Sequence, residues 1–190
     1  MSWVTDKEQL QAEVKQIDSS VRLTTKNGRF WHFLAWCLFL LSFGKFKRED
    51  FLTGFATTLG NVQAYPESWS TSDVRRVMIH ESRHSWQARM CGLGIHPMVG
   101  VPVMGLLYLL LPLPVGLAFF RFWFELDACR TSWRHALVNG LETPDMIRSR
   151  ATNSAKRLAS PAYLWTVWKS FAEAQFAKEA EKVITKQVGK

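Results

Sequence analysis

Cysteine is scarce in this chain of 190 residues: Cys37, Cys91 and Cys129 are the three present, and none forms a C-x-x-C pair. An odd, widely spaced set excludes a disulfide framework, which leaves buried thiols or a reducing compartment as the simpler reading. A basic-then-apolar leader is also lacking, because residues 1–17 are polar and mixed in charge. No cleavable signal peptide is expected, and the chain reads as intracellular, membrane-associated or carried within a particle. Acidic residues are outnumbered, 16 against 24 Lys and Arg, for a net charge of +8. That balance favours anionic surfaces such as a membrane surface or an acidic protein. No nucleic-acid-reading motif accompanies it and the basic residues are scattered, so nucleic acid is not an expected partner. Uninterrupted apolar runs of spanning length are missing too. Residues 30–43 make a run of about 14, short of the ~20 that cross a bilayer as a helix. Its His32 reads as a core or interface histidine. Residues 98–120 carry no charge, yet Pro102, Gly105, Pro112, Pro114 and Gly116 interrupt them. Leu111-Pro112-Leu113-Pro114 divides that run into two segments too short to span. It is expected to form an apolar helical hairpin insertion, buried or dipping into lipid.

Aromatic residues are abundant, with 9 Trp and 13 Phe. Leu10, Val14 and Ile17 mark a short amphipathic helix over about 6–17. Residues 51–59 are rich in β-formers, Gly60-Asn61 reads as a turn, and Val62, Gln63, Ala64 and Tyr65 form a second short strand stopped by Pro66. Thr143 as N-cap and Pro144 at the first helical position open a helix ending near Leu158. Ser160-Pro161 repeats that signal. The last helix, about 161–187, carries Leu164, Trp165, Trp168, Phe171, Ala172 and Phe176 on one face and Lys169, Glu173 and Lys178 on the other. That aromatic stripe is either core or a docking face for a protein assembly, through Trp165, Trp168, Phe171 and Phe176.

The most specific chemistry lies in Met78-Ile79-His80-Glu81-Ser82-Arg83-His84-Ser85-Trp86-Gln87. Its H-E-x-x-H places His80 and His84 at i and i+4, on one face of a helix, where both imidazoles can reach one metal ion. Glu81 stands beside them, able to take a proton from a water on the metal without being a ligand. Ser70 to Asp73 offers N-caps, Asp73 sits in the first turn, and Gly92 suits a C′ stop, so this helix is predicted over about 73–91. A catalytic site needs a third ligand. Glu125, in Phe122-Trp123-Phe124-Glu125-Leu126-Asp127-Ala128-Cys129, is the leading choice, with Asp127, His96 and His135 as rivals.

With that pairing the chain resembles the gluzincin-type zinc metallopeptidases, in particular the membrane-embedded prenyl-protein and heat-shock type. The resemblance covers roughly residues 51–135 and rests on H-E-x-x-H followed by Glu125-x-Asp127-Ala128. It implies Zn²⁺ on His80, His84 and Glu125, with Glu81 as the catalytic base. The acidic residue that closes the family's second motif is replaced here by Cys129. In such enzymes an edge strand beside the zinc helix pairs with extended substrate, which makes Val62, Gln63, Ala64 and Tyr65 a candidate substrate-binding strand; a purely stabilising hairpin is the alternative. The oxyanion-stabilising group is not identified, and Tyr65, His96 and His135 are candidates.

These readings give an α+β, mainly helical fold: a single zincin-like domain over 1–190, with a zinc helix, a small β-hairpin and a long amphipathic C-terminal helix. The expected function is zinc-dependent hydrolysis of peptide bonds in a peptide or protein substrate, by metal-activated water. The alternative is a structural or interaction protein of a larger assembly that retains a zinc site without peptidase activity. A closed four-ligand site would favour the second reading, and an open water position the first.

Overall fold

In a computed structural model of the chain, residues 3–41, 43, 44, 47–109, 119–159 and 167–188 are described. The fold is mainly helical with one small sheet. In order it comprises α1 (Trp3–Ile17), β1 (Arg22–Thr25), α2 (Arg29–Leu41), β2 (Thr57–Leu59), β3 (Val62–Tyr65), α3 (Thr71–Cys91), α4 (Pro97–Leu109), α5 (Phe119–Val138), α6 (Pro144–Leu158) and α7 (Lys169–Val188). Two compact units result, Met1–Val99 and Gly100–Lys190, with the boundary inside α4.

In the first unit the sheet order is β1-β3-β2. β3 pairs in parallel with β1, Arg22 opposite Val62, and antiparallel with β2, Thr58 opposite Gln63. The hairpin turn has Gly60 at φ 60°, the glycine-first arrangement of a two-residue type II′ loop. A Cβ there would also collide with Met98, 2.1 Å from its sulfur.

The topology corrects the strand assignments. Val62, Gln63, Ala64 and Tyr65 form the central strand, not an edge, because β1 takes up the other side of β3. Their backbone groups are committed to both neighbours and cannot receive a substrate strand. The outer side of β1 is itself engaged by α1: the Leu23 N–H donates to Gln11 Oε1 at 2.9 Å, and the Gln11 amide donates to the Val21 carbonyl at 2.9 Å. Among the described residues β2 alone keeps an outer edge without a strand or side-chain partner. The β-forming run at 51–59 also yields only three strand residues. Asp50–Gly54 makes a wide helical turn instead. Lys26 overrides the local propensity there, its Nζ donating to the carbonyls of Phe51 (2.7 Å) and Phe55 (2.6 Å) while it lies over the Phe51 ring at 3.9 Å.

Leu10 and Val14 of α1 pack with Val21, Tyr65 and the Val74, Met78 and Ile79 face of α3. Arg75 of α3 pairs with Glu13 of α1, and Arg89 of α3 with Asp18, the residue just after α1. α2 buries Trp31 and Ala35 against Phe51 and Ala64. Its other faces leave Phe30, Phe33, Trp36 and Leu40 exposed, and His32 is exposed as well.

The second unit centres on α5, α6 and α7. Phe122, Leu126, Cys129 and Trp133 of α5 meet Ile147, Ala151 and Ala155 of α6 and Ala172, Phe176 and Ala180 of α7. The i, i+3, i+4 spacing on each helix builds one apolar core. Thr143 caps α6, its hydroxyl accepting from the Met146 N–H, with Pro144 in the first turn as expected. α7 starts at Lys169, so the predicted start at Pro161, and with it Leu164 and Trp165, lies outside the described residues. The stripe divides: Ala172 and Phe176 are core, whereas Trp168 precedes the helix and is 86% exposed. α4 carries Pro102 in its interior. The Leu111-Pro112-Leu113-Pro114 break and Gly116 lie outside the described residues. Among those described, no helix is long and apolar enough to cross a membrane.

Candidate metal centre

α3 begins where its cap chemistry directs: the Ser70 hydroxyl accepts from the Asp73 N–H at 3.2 Å. It ends at Cys91, as expected, with Gly92 as its C-cap. Gly92 keeps a negative φ, and Leu93 and Gly94 take the left-handed conformation. Successive residues turn by about 100° on a helix. Val74, Met78, Ser82 and Ser85 therefore share one face, and they are buried. His80, His84 and Gln87 fall on the opposite face. Glu81 occupies the flank between the two.

The inward face is fixed by polar contacts as well as by packing. Gln63 of β3 donates from Nε2 to Ser85 Oγ at 3.1 Å and lies 3.3 Å from Ser82 Oγ, which donates to the Met78 carbonyl at 2.6 Å. Every member is buried. A buried polar network of this kind tolerates one rotation of the helix and penalises others. That rotation sets the direction of the histidines.

The two imidazoles converge. His84 Nε2 lies 3.2 Å from His80 Nε2. A tetrahedral ion holding two imidazole nitrogens at about 2.0–2.1 Å needs them about 3.3 Å apart, so the pair matches the edge of such a site. His84 Nδ1 stands 2.8 Å from Gln87 Oε1. A carbonyl oxygen can only accept, so Nδ1 carries the proton and the Nε2 lone pair faces His80. Gln87 went unnoticed in the sequence, although its i+3 spacing from His84 is the signal that finds it.

Glu81 is half-buried, and its Oε2 accepts from Thr58 Oγ1 of β2 at 2.5 Å. Lys26 acts on it electrostatically. Burial pushes the Lys26 ammonium down to about 8, and the negative charge of Glu81 opposes that shift. Neither Thr58 nor Lys26 belongs to a motif; a lone threonine in a β-forming run carries no signal beyond propensity.

The other expected residues are placed as follows. Glu125 lies on α5 in the second unit, buried at 6% exposure. Cys129, one turn on, packs in the α5–α7 core, its sulfur 3.9 Å from Ser154 Oγ. His96 has a local task at the start of α4, its Nδ1 accepting from the Met98 N–H at 3.2 Å. His135 lies in the last turn of α5. Tyr65 is 1% exposed within the first unit's core, and burial together with Glu67 pushes its phenol up. Burial likewise pushes the Cys91 thiol up, and Cys37, Cys91 and Cys129 are all free thiols. Compared with known proteins, the chain matches no family model, no curated protein and no solved structure.

Proposed function

We propose that this protein is a zinc-dependent peptide-bond hydrolase with a zincin-like core, in which His80, His84 and Glu125 hold the ion and Glu81 is the general base. The observation that carries this reading is the 3.2 Å approach of the two Nε2 atoms, with the His84 tautomer set by Gln87. Support for the third ligand comes from the sequence, where the helix carrying Glu125-x-Asp127-Ala128 follows H-E-x-x-H. Two imidazoles and one carboxylate suit zinc and leave a fourth position for water or substrate. Bound zinc would supply Lewis acidity, polarising a carbonyl and making water easier to deprotonate.

The chain's own groups do the rest. Glu81 takes a proton from the attacking water and returns it to the leaving amine. The free outer edge of β2, rather than β3, offers backbone hydrogen bonds to an extended polypeptide. β2 also packs against α3, which carries Glu81.

The test is hydrolysis of an unstructured protein such as casein by zinc-loaded wild type and by Glu81→Gln. The reading predicts cleavage by wild type, a loss of about 100-fold or more in the variant, and unchanged zinc content. Zinc-loaded wild type that leaves both casein and short peptides intact contradicts it. A second reading, a component of a larger assembly that keeps zinc without hydrolysis, draws on the exposure of Trp168 (86%) and Phe171 (41%). Such aromatic surface is typical of docking faces.

A further inference from the structure

We infer that Thr58 is the positioning residue for Glu81, fixing the carboxylate in the orientation that general-base chemistry needs. The inference rests on the hydrolase reading and deepens it. Glu81 sits on a helix flank, where a glutamate side chain has three rotatable bonds and several solvent-facing rotamers. A base that must meet one water cannot sample them all without losing rate. One short bond selects among them, Thr58 Oγ1 to Glu81 Oε2 at 2.5 Å. A hydroxyl donating to a carboxylate is a charge-assisted contact of the stronger kind.

The register explains why Thr58 reaches. Thr58 stands directly opposite Gln63 across the β2–β3 pair. Opposed residues share a sheet face, so both project toward α3. Gln63 engages Ser82 and Ser85, and Thr58 engages Glu81. Two neighbouring strand positions therefore address successive positions of one helix. Lys26 holds the approach to β2 by binding the Phe51 and Phe55 carbonyls, seven and three residues before Thr58. A valine at 58 keeps the shape and the β-branched strand preference but removes the donor; a serine keeps the donor.

The experiment compares Thr58→Val, Thr58→Ser and Glu81→Gln in the full-length, zinc-loaded protein. Three readouts are taken: zinc content, kcat and KM on an internally quenched unstructured peptide, and the carbon-13 resonance of the Glu81 carboxyl, identified by its absence in Glu81→Gln. We expect Thr58→Val to lower kcat by about 10- to 100-fold, the usual range for groups that orient a reacting residue. KM and zinc content should hold, because the β2 backbone and the ligands are untouched. The carboxyl resonance should move in Thr58→Val and return in Thr58→Ser, with kcat restored. An unmoved resonance in Thr58→Val overturns the contact, and unchanged kcat in that variant overturns its role. Wild type that holds zinc but cleaves no peptide overturns the hydrolase reading, and with it any catalytic role for Thr58; the resonance then still decides whether Thr58 holds Glu81.

Discussion

The two units bury different chemistry. The first places Gln63, Ser82, Ser85 and Lys26 in its interior, between the sheet, α3 and the 51–55 turn. The second packs α5, α6 and α7 mainly through Phe122, Leu126, Trp133, Ile147, Phe176 and small aliphatic residues, and also buries Glu125, Ser132 and Glu179. Apolar contacts are non-directional and stabilise in proportion to buried area. Buried hydrogen bonds add little net stability, but they are directional and costly to leave unmade. Both units have apolar cores, and in the first a buried hydrogen-bond network between β3 and α3 adds aim to that stability. The aimed groups are His80, His84 and Glu81.

The largest effect should come from cutting the apolar core. Phe176 is fully buried and meets the rings of Phe122 at 5.8 Å and Trp133 at 5.9 Å. Phe176→Ala should cost about 3–5 kcal/mol in denaturant unfolding. A cost below about 1 kcal/mol, the level of an ordinary surface change, would mean that the second unit is not held by this core. A smaller loss should follow Gln63→Ala, which strands Ser85 and weakens the hold on Ser82. About 1–3 kcal/mol is expected. What sharpens the comparison is a second readout, the spacing of the imidazoles: zinc affinity should fall further in Gln63→Ala, where the helix with two proposed ligands loses its aim, than in Phe176→Ala, where α5 carries one. Equal effects on zinc in both would erase the distinction between aim and stability.

An effect of a different kind is a pH signature of Lys26. Its ammonium is held at about 8 in the folded chain against an ordinary 10.5. Between those values the unfolded chain keeps a proton that the folded chain has released, so stability rises with pH across that window and the penalty is fully present below it. A neutral amine still donates two hydrogens, so both carbonyl contacts survive deprotonation. Unfolding curves from pH 7 to 10.5 should show this rise in wild type beyond that of Lys26→Met. Parallel pH profiles for the two proteins would contradict it.

What the sequence revealed and what it concealed follows the same division. α3 and α6 were legible because their ends are written locally, in Ser70 with Asp73 and in Thr143-Pro144. The β2–β3 turn was legible in Gly60-Asn61. The parallel strand β1 was not: Arg22-Leu23-Thr24-Thr25 is short and mixed, and its partner lies about 40 residues on, with no local signal of pairing. Missing β1 turned the central strand into an edge. At the site, H-E-x-x-H named His80, Glu81 and His84 by spacing alone. Thr58 and Lys26 escaped because only strand register and tertiary packing bring them to Glu81.

The central claim is that two histidines and a glutamate hold one zinc ion while Glu81 stands free of it. The most direct measurement is metal content by mass spectrometry on wild type, His84→Ala, Glu125→Ala and Glu81→Gln, each purified without chelators and supplied with zinc. The account predicts about one zinc per chain in wild type and Glu81→Gln, as a mononuclear site requires, with loss in the other two. Wild type that takes up no zinc would contradict the metal site, and loss in Glu81→Gln equal to that in His84→Ala would contradict the role given to Glu81.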